Sequence, residues 1–154
     1  MLIIKEPKEL KNFKNFDLGT GKWLEVNQKL INKFADLSGD NQWIHVDVER
    51  ALSDMPYGQT IAHGLLTLCL SPEMGKGQLK IEKLKLIINY GIDRVRFTSP
   101  VEVNSRIRMR SIIKDASDRG DNSVLLRINR SIEIEGQKKP AMIAETLSLI
   151  YPLN

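Results

Sequence analysis

The feature that most narrows the fold is a change of hydrophobic period partway along the chain. Upstream of Lys83 apolar residues recur at helical spacing, with Leu30, Ile31, Phe34 and Leu37 on one face. From Lys83 onward they alternate. The stretches Lys85 to Asn89, Asp93 to Phe97, Arg106 to Ile113, Ser123 to Glu135 and Ala141 to Ile150 read as antiparallel strands. Polar turns join them at Asp118-Arg119-Gly120-Asp121 and Glu135-Gly136-Gln137. Helices early and strands late specify an α+β domain in which a curved sheet wraps a central helix. At 154 residues, with no repeat, low-complexity tract or linker, the chain (1-154) reads as one domain with one site.

The helical elements carry their own start and stop signals. Asn27 is placed to cap the first helix and Gly39 to end it. Asp47 is placed to cap a second, followed by Glu49 in the first turn, where negative charge favours the helix dipole. A third begins near Ala62 to Gly64 and runs through Leu65, Leu66, Leu68, Cys69 and Leu70 until Pro72 or Gly75 ends it. It is apolar nearly all round, so it is expected to be buried, with Cys69 an inert core thiol.

Charge and cysteine content limit the classes of function. The formal net charge of +4 raises nucleic acid as a partner. However, Arg106, Arg108 and Arg110 alternate with Ile107 and Met109, as Arg127 and Asn129 do with Leu126 and Ile128, which describes the wet face of a sheet. No nucleic acid is therefore expected, while a small polyanion such as coenzyme A suits the modest positive potential. A single cysteine excludes an internal disulfide, and Met1 to Lys5 lacks the character of a secretory signal, so a cytoplasmic location is expected. The uncharged run from Gly58 to Pro72 is too short and too polar for a membrane span.

Between the first two helices lies Ser38-Gly39-Asp40-Asn41-Gln42-Trp43-Ile44-His45. Five residues on one continuous helix would separate Asp40 from His45 by about 140° around the axis. A loop between the Gly39 stop and the Asp47 cap can instead turn carboxylate and imidazole toward one water, the geometry that acid/base chemistry needs. Taken alone, the pair is better read as a local turn cap and a surface histidine, because short motifs match often by chance. No Gly-x-Ser-x-Gly elbow surrounds Ser38, Ser71 or Ser99, so nucleophilic catalysis finds no support.

The run Phe34 to Asp47, followed by Ile61-Ala62-His63-Gly64-Leu65-Leu66, resembles the signature of the MaoC-like hydratases, the R-specific enoyl-CoA hydratases or hydratase 2. That family's usual core reads Gly-Asp-x-Asn-Pro-(Leu or Ile)-His. Here Gln42 stands for the Asn and Trp43 for the Pro, which is similar to the NodN-like branch, as is Asn89 to Val101. The resemblance implies a hot-dog fold, a curved antiparallel sheet around a central long helix, assembled as a homodimer. It implies R-specific hydration of trans-2-enoyl thioesters, with coenzyme A or an acyl carrier protein as part of the substrate and no separate cofactor. Asp40 and His45 would be the catalytic pair, and the Gly64 N–H would bind the thioester oxygen.

Gln42 is expected to support the Asp40 loop or orient substrate, and His63 to hydrogen-bond in its turn or act as a second acid/base group. Trp43 is expected to pack. A metal on Asp40, His45 and His63 is conceivable by ligand type, but nothing in their spacing specifies one, so none is expected. The alternatives are a hot-dog thioesterase, which would release free thiol, and a non-catalytic acyl-CoA-binding dimer.

Overall fold

The computed structural model describes residues 1–153. Three short strands open the chain: β1 (Leu2–Ile4), then β2 (Phe16–Thr20) after a 3-10 segment at Pro7–Phe13, and β3 (Leu24–Val26). The helices are α1 (Gln28–Ser38), α2 (Trp43–Val46), α3 (Val48–Asp54), α4 (Gly64–Cys69) and α5 (Ser71–Met74). After β4 (Leu79–Ile81) come four long strands, β5 (Leu84–Phe97), β6 (Ser105–Asp118), β7 (Val124–Ile134) and β8 (Met142–Pro152). The main sheet runs β2-β6-β7-β8-β5, with β3 also on β6 and every pairing antiparallel. β1 pairs with β4 in a separate parallel ladder.

This is the hot-dog arrangement, an open, curved antiparallel sheet with its helices on one face. Bends enter where the register shifts, at Ile113/Asp115 in β6 and at Asn89/Gly91 and Ile92/Arg94 in β5. Alternation aims Ile107 and Met109 of β6 and Ile132 and Ile134 of β7 at the helices, and Ile113 and Ile128 at Leu10 of the 3-10 segment and at β1 and β4, where all are buried. The opposite face carries a small apolar cluster of Leu125, Leu147 and Leu149 but is otherwise wet, and its arginines find carboxylates across the ladder: Arg106 with Glu135, Arg108 with Glu133 at 2.7 Å, Arg110 with Asp17, and Arg127 with Asp115.

Caps explain the early helices. Asn27 accepts a hydrogen bond from the Leu30 N–H, Gly39 ends α1 in the left-handed conformation at φ 76°, and Asp47 accepts from the Arg50 N–H to start α3. Several expectations need correction. The segment between the first two helices is not all loop, because Trp43–Val46 winds into one α-turn. The central helix is not continuous: Pro72 has no N–H to offer the preceding turn, so α4 ends at Cys69 and α5 restarts at Ser71. It is not buried all round either. Leu65 and Cys69, four apart and so on one face, are exposed, while Leu66 and Thr67 are buried. The Cys69 thiol is accordingly a surface group. Strands also occupy the first half, where alternation was not evident. Among the described residues, no helix is long and apolar enough to cross a membrane.

Candidate active site

Three segments meet at the N-terminal end of α4. The first is Gly39 to Asp47, which leaves α1 through the left-handed glycine and delivers Asp40 to the surface and His45, 6% exposed, to the interior. The second is Thr60 to Gly64. Its backbone is clamped on both sides, Ile61 N–H to the Ile44 carbonyl at 3.1 Å and Ala62 N–H to the Val101 carbonyl at 2.7 Å. The third is the end of β5, whose Phe97 ring lies over Gly64.

The hydrogen bonds fix the ring states. His45 Nδ1 lies 2.7 Å from the Ile61 carbonyl oxygen, which can only accept, so Nδ1 carries the proton and Nε2 of the neutral ring keeps its lone pair. His63 Nε2 lies 2.9 Å from the Asp40 carbonyl oxygen and is the donor for the same reason. Its Nδ1 is then a bare acceptor, buried and without a partner among the described residues. Burial holds the His45 pKa below the usual histidine value, and the neighbouring His63 adds to the depression. The Ile61 bond and the Asp40 charge work against both.

One carboxylate oxygen of Asp40, one ring nitrogen of His45 and one of His63 all lie within 4.8 Å of each other, a separation that one water can bridge. The same set could offer donors to a metal. An ion must lie near the plane of each imidazole that binds it, and the two rings are stacked, with centroids 3.7 Å apart and planes 26° from parallel. Planes so disposed share no point at metal–nitrogen bonding distance, and the donor set does not fit a chelated ion in this arrangement.

Gly64 is the first residue of α4, so its N–H has no acceptor inside the helix. A Cβ there would sit 2.7 Å from the Phe97 ring, closer than any side chain tolerates. Gln42 is exposed, and its contact with Asp40 is through its backbone N–H, 3.4 Å from Oδ1, rather than through its amide group. Trp43 carries the Arg50 guanidinium over its ring at 4.2 Å.

Sequence reasoning missed a brace behind the site. Gln28 Nε2 donates to the His45 carbonyl at 2.7 Å, and Gln28 Oε1 accepts from the hydroxyl of the fully buried Thr60 at 2.5 Å. One glutamine thereby ties α1, α2 and the Thr60 segment together. A side-chain contact across such sequence distance leaves no trace in local pattern.

A hot-dog sheet with a carboxylate and a neutral imidazole converging at the tip of its central helix defines a class of domain. The chain belongs to the MaoC like domain family, whose model matches residues 13–133. It is 43% identical to 3-hydroxyacyl-thioester dehydratase Z of Mycobacterium tuberculosis over 84% of this chain and 85% of that protein. It is 42% identical to nodulation protein N of Rhizobium meliloti over 86% and 83%. Its fold matches that of an (R)-hydratase from A. caviae, described as involved in PHA biosynthesis, with a TM-score of 0.63 and 21% identity, covering 88% of this chain and 96% of that one.

Proposed function

We propose that this protein hydrates trans-2-enoyl thioesters to the (R)-3-hydroxyacyl products, and runs in reverse as a dehydratase, with Asp40 and His45 activating one water. The observation that carries this reading is the approach of the Asp40 carboxylate and a His45 ring nitrogen to within 4.8 Å, in a member of the MaoC like family. The names of the relatives support the substrate class.

The water lies between the Asp40 carboxylate, which accepts one of its hydrogen bonds, and His45 Nε2, which accepts the other. As its oxygen bonds to C3 of the enoyl group, Nε2 takes a proton and the C2–C3 electron pair moves toward the thioester carbonyl. Asp40 stabilises the imidazolium so formed. The proton then returns from the pair to C2, so one water is consumed and the site is restored. Negative charge gathers on the carbonyl oxygen during addition, and the Gly64 N–H is the donor that meets it. Such donors are worth about 2.7–4 kcal/mol of barrier elsewhere.

Coenzyme A or an acyl carrier protein enters as part of the substrate. The assembly is a homodimer: β5 is a 14-residue edge strand with Leu86, Ile87, Ile88, Tyr90 and Ile92 exposed, a surface that a second copy would cover.

The test is a hydration assay on crotonyl-CoA, following loss of enoyl absorbance, release of thiol and chirality of product. Hydration without thiol release is expected. Asp40→Asn and His45→Ala should each lower the rate about a hundredfold or more while melting as cooperatively as the parent. Thiol release would make the protein a thioesterase, binding without turnover would make it an acyl-CoA-binding module, and a fully active double variant would remove both residues from the chemistry.

A further inference from the structure

The concave face of β7 is apolar with one exception. Val124, Leu126, Ile128, Ile132 and Ile134 are buried against the core, and strand alternation puts Arg130 among them, between Ile128 and Ile132. Its Nε donates to Thr146 Oγ1 at 2.9 Å, and Nη1 lies 3.4 Å from Met109 Sδ. Among the described residues its Nη2 makes no hydrogen bond and no carboxylate pairs with it. By contrast Arg108 and Arg127, on the outer face, pair with Glu133 and Asp115. Burial pushes the Arg130 guanidinium below its ordinary pKa.

Arg130 borders a cavity of about 660 Å³ between the sheet and α4–α5, and among the described residues is the one charged group in a lining that is otherwise aliphatic or neutral. Within that lining the Ser111 hydroxyl is spent on Gln78 Oε1, and the Ser71 hydroxyl, without a partner among the described residues, is sealed from solvent. A largely desolvated cation beside an empty volume, with no acceptor for its Nη2 among the described residues, is unfavourable unless something brings an acceptor to it. Leu68 and Cys69 of α4 line the same cavity. At about 1.5 Å per helical residue they lie roughly 6–8 Å along the axis from Gly64, so an acyl chain held by its thioester at Gly64 can run along α4 into this space.

We propose that the cavity receives the far end of the acyl chain and that Arg130 selects chains ending in a carboxylate. The preferred substrates are then monothioesters of unsaturated dicarboxylic acids. The inference rests on the hydratase reading above. A carboxylate fits better than a phosphate because the planar guanidinium fork takes two oxygens side by side and supplies one positive charge for one negative charge.

The experiment compares trans-2-enoyl-CoA substrates of equal chain length, one ending in a carboxylate and one in a methyl group, on the parent, Arg130→Met and Arg130→Lys. The parent should favour the carboxylate substrate in kcat/KM by about tenfold or more. Arg130→Met should bring that ratio to unity or reverse it, and Arg130→Lys should fall between. A parent that turns over the methyl-ended substrate as well as the carboxylate one, or an Arg130→Met variant that keeps the preference, overturns the proposal. Should neither substrate be hydrated, the hydratase reading fails on its own. Calorimetric binding of the saturated carboxylate-ended acyl-CoA against its methyl-ended counterpart then decides the subsite: a preference lost in Arg130→Met supports it, and equal binding overturns it. Melting curves of both variants establish that they fold.

Discussion

The imidazole rings of His45 and His63 lie face to face with centroids 3.7 Å apart, so a proton gained by His45 sets positive charge against its neighbour in a buried place. Desolvation, with His63 adding to it, depresses the His45 pKa from its ordinary 6.5. The Nε2 lone pair is therefore free at neutral pH. In kcat/KM for an enoyl-CoA substrate, the acid limb should fall at an apparent pKa below 6.5, and His63→Asn should move it upward. A limb above that value would contradict the ring state.

The same depression makes folding stability depend on pH in a fixed direction. Above the unfolded histidine pKa both states are neutral and the contribution is fully present. As pH falls below it, the unfolded chain takes up a proton that the folded chain refuses, so stability declines until pH passes the folded pKa. Urea unfolding of the parent against His45→Gln should show this loss between pH 6.5 and the lower folded value in the parent only. Parallel curves would show that His45 is not held neutral.

In the proposed chemistry Gln28 acts through His45, as a positioning residue. Gln28→Ala strips the His45 carbonyl of its side-chain donor and leaves the buried Thr60 hydroxyl without its acceptor. Unsatisfied buried groups cost about 1–3 kcal/mol each. The melting temperature should fall and kcat should drop more than KM rises, because the imidazole loses its fixed aim. Gln28→Glu keeps an acceptor for Thr60 but not the donor, so it should rescue stability better than kcat. Equal recovery of both would reduce the brace to scaffolding.

What the sequence made legible follows the range of the interactions. Asn27, Gly39 and Asp47 were readable because a cap is satisfied within three or four residues of itself. The Asp40 to His45 segment was readable as a motif, and the turn at Trp43–Val46 only shortened the loop. β5 read as two strands because its register slips around Tyr90 and Gly91, which interrupts the alternation. β1 and β3 have three residues each, too few to show a period. Arg130 was legible in principle. Leu126, Ile128, Arg130 and Ile132 share one parity, but the eye assigns an arginine to the wet face with Arg127. Gln28 and Thr60 were not legible, since only the tertiary fold brings them to His45.

Gly64 and Phe97 offer a test of packing that is separable from chemistry. Adding a methyl group in Gly64→Ala forces the ring, 44% exposed on an edge strand, to move from its 2.7 Å approach. Overpacking of this kind costs about 1–3 kcal/mol. Phe97→Ala in the same chain makes room, so the double variant should be more stable than the sum of the single changes predicts. If activity stays low in the double variant, the cost of the methyl group lies in blocking approach to the N–H. If activity returns with stability, Gly64 is a packing residue and the oxyanion assignment falls.

The exposed apolar strand leads to the last expectation. β5 ends the sheet, so its outward backbone groups have no partner strand among the described residues, and Ile88 and Tyr90 are 45% and 52% exposed. An uncovered edge of this length invites pairing with any extended chain, and soluble proteins disarm such edges with charge, proline or a partner. Asp93, Arg94 and Arg96 charge its distal part and register slips bend it at Asn89/Gly91 and Ile92/Arg94, but the apolar side chains from Leu86 to Ile92 stay exposed, so cover by a second copy is the expected solution. Light scattering coupled to gel filtration should give twice the monomer mass at micromolar concentration. Ile88→Lys should shift the equilibrium toward monomer. Leu52→Lys, at an exposed position on α3, should leave it unchanged. A parent that runs as a soluble monomer at all accessible concentrations would mean that the strand tolerates water unaided.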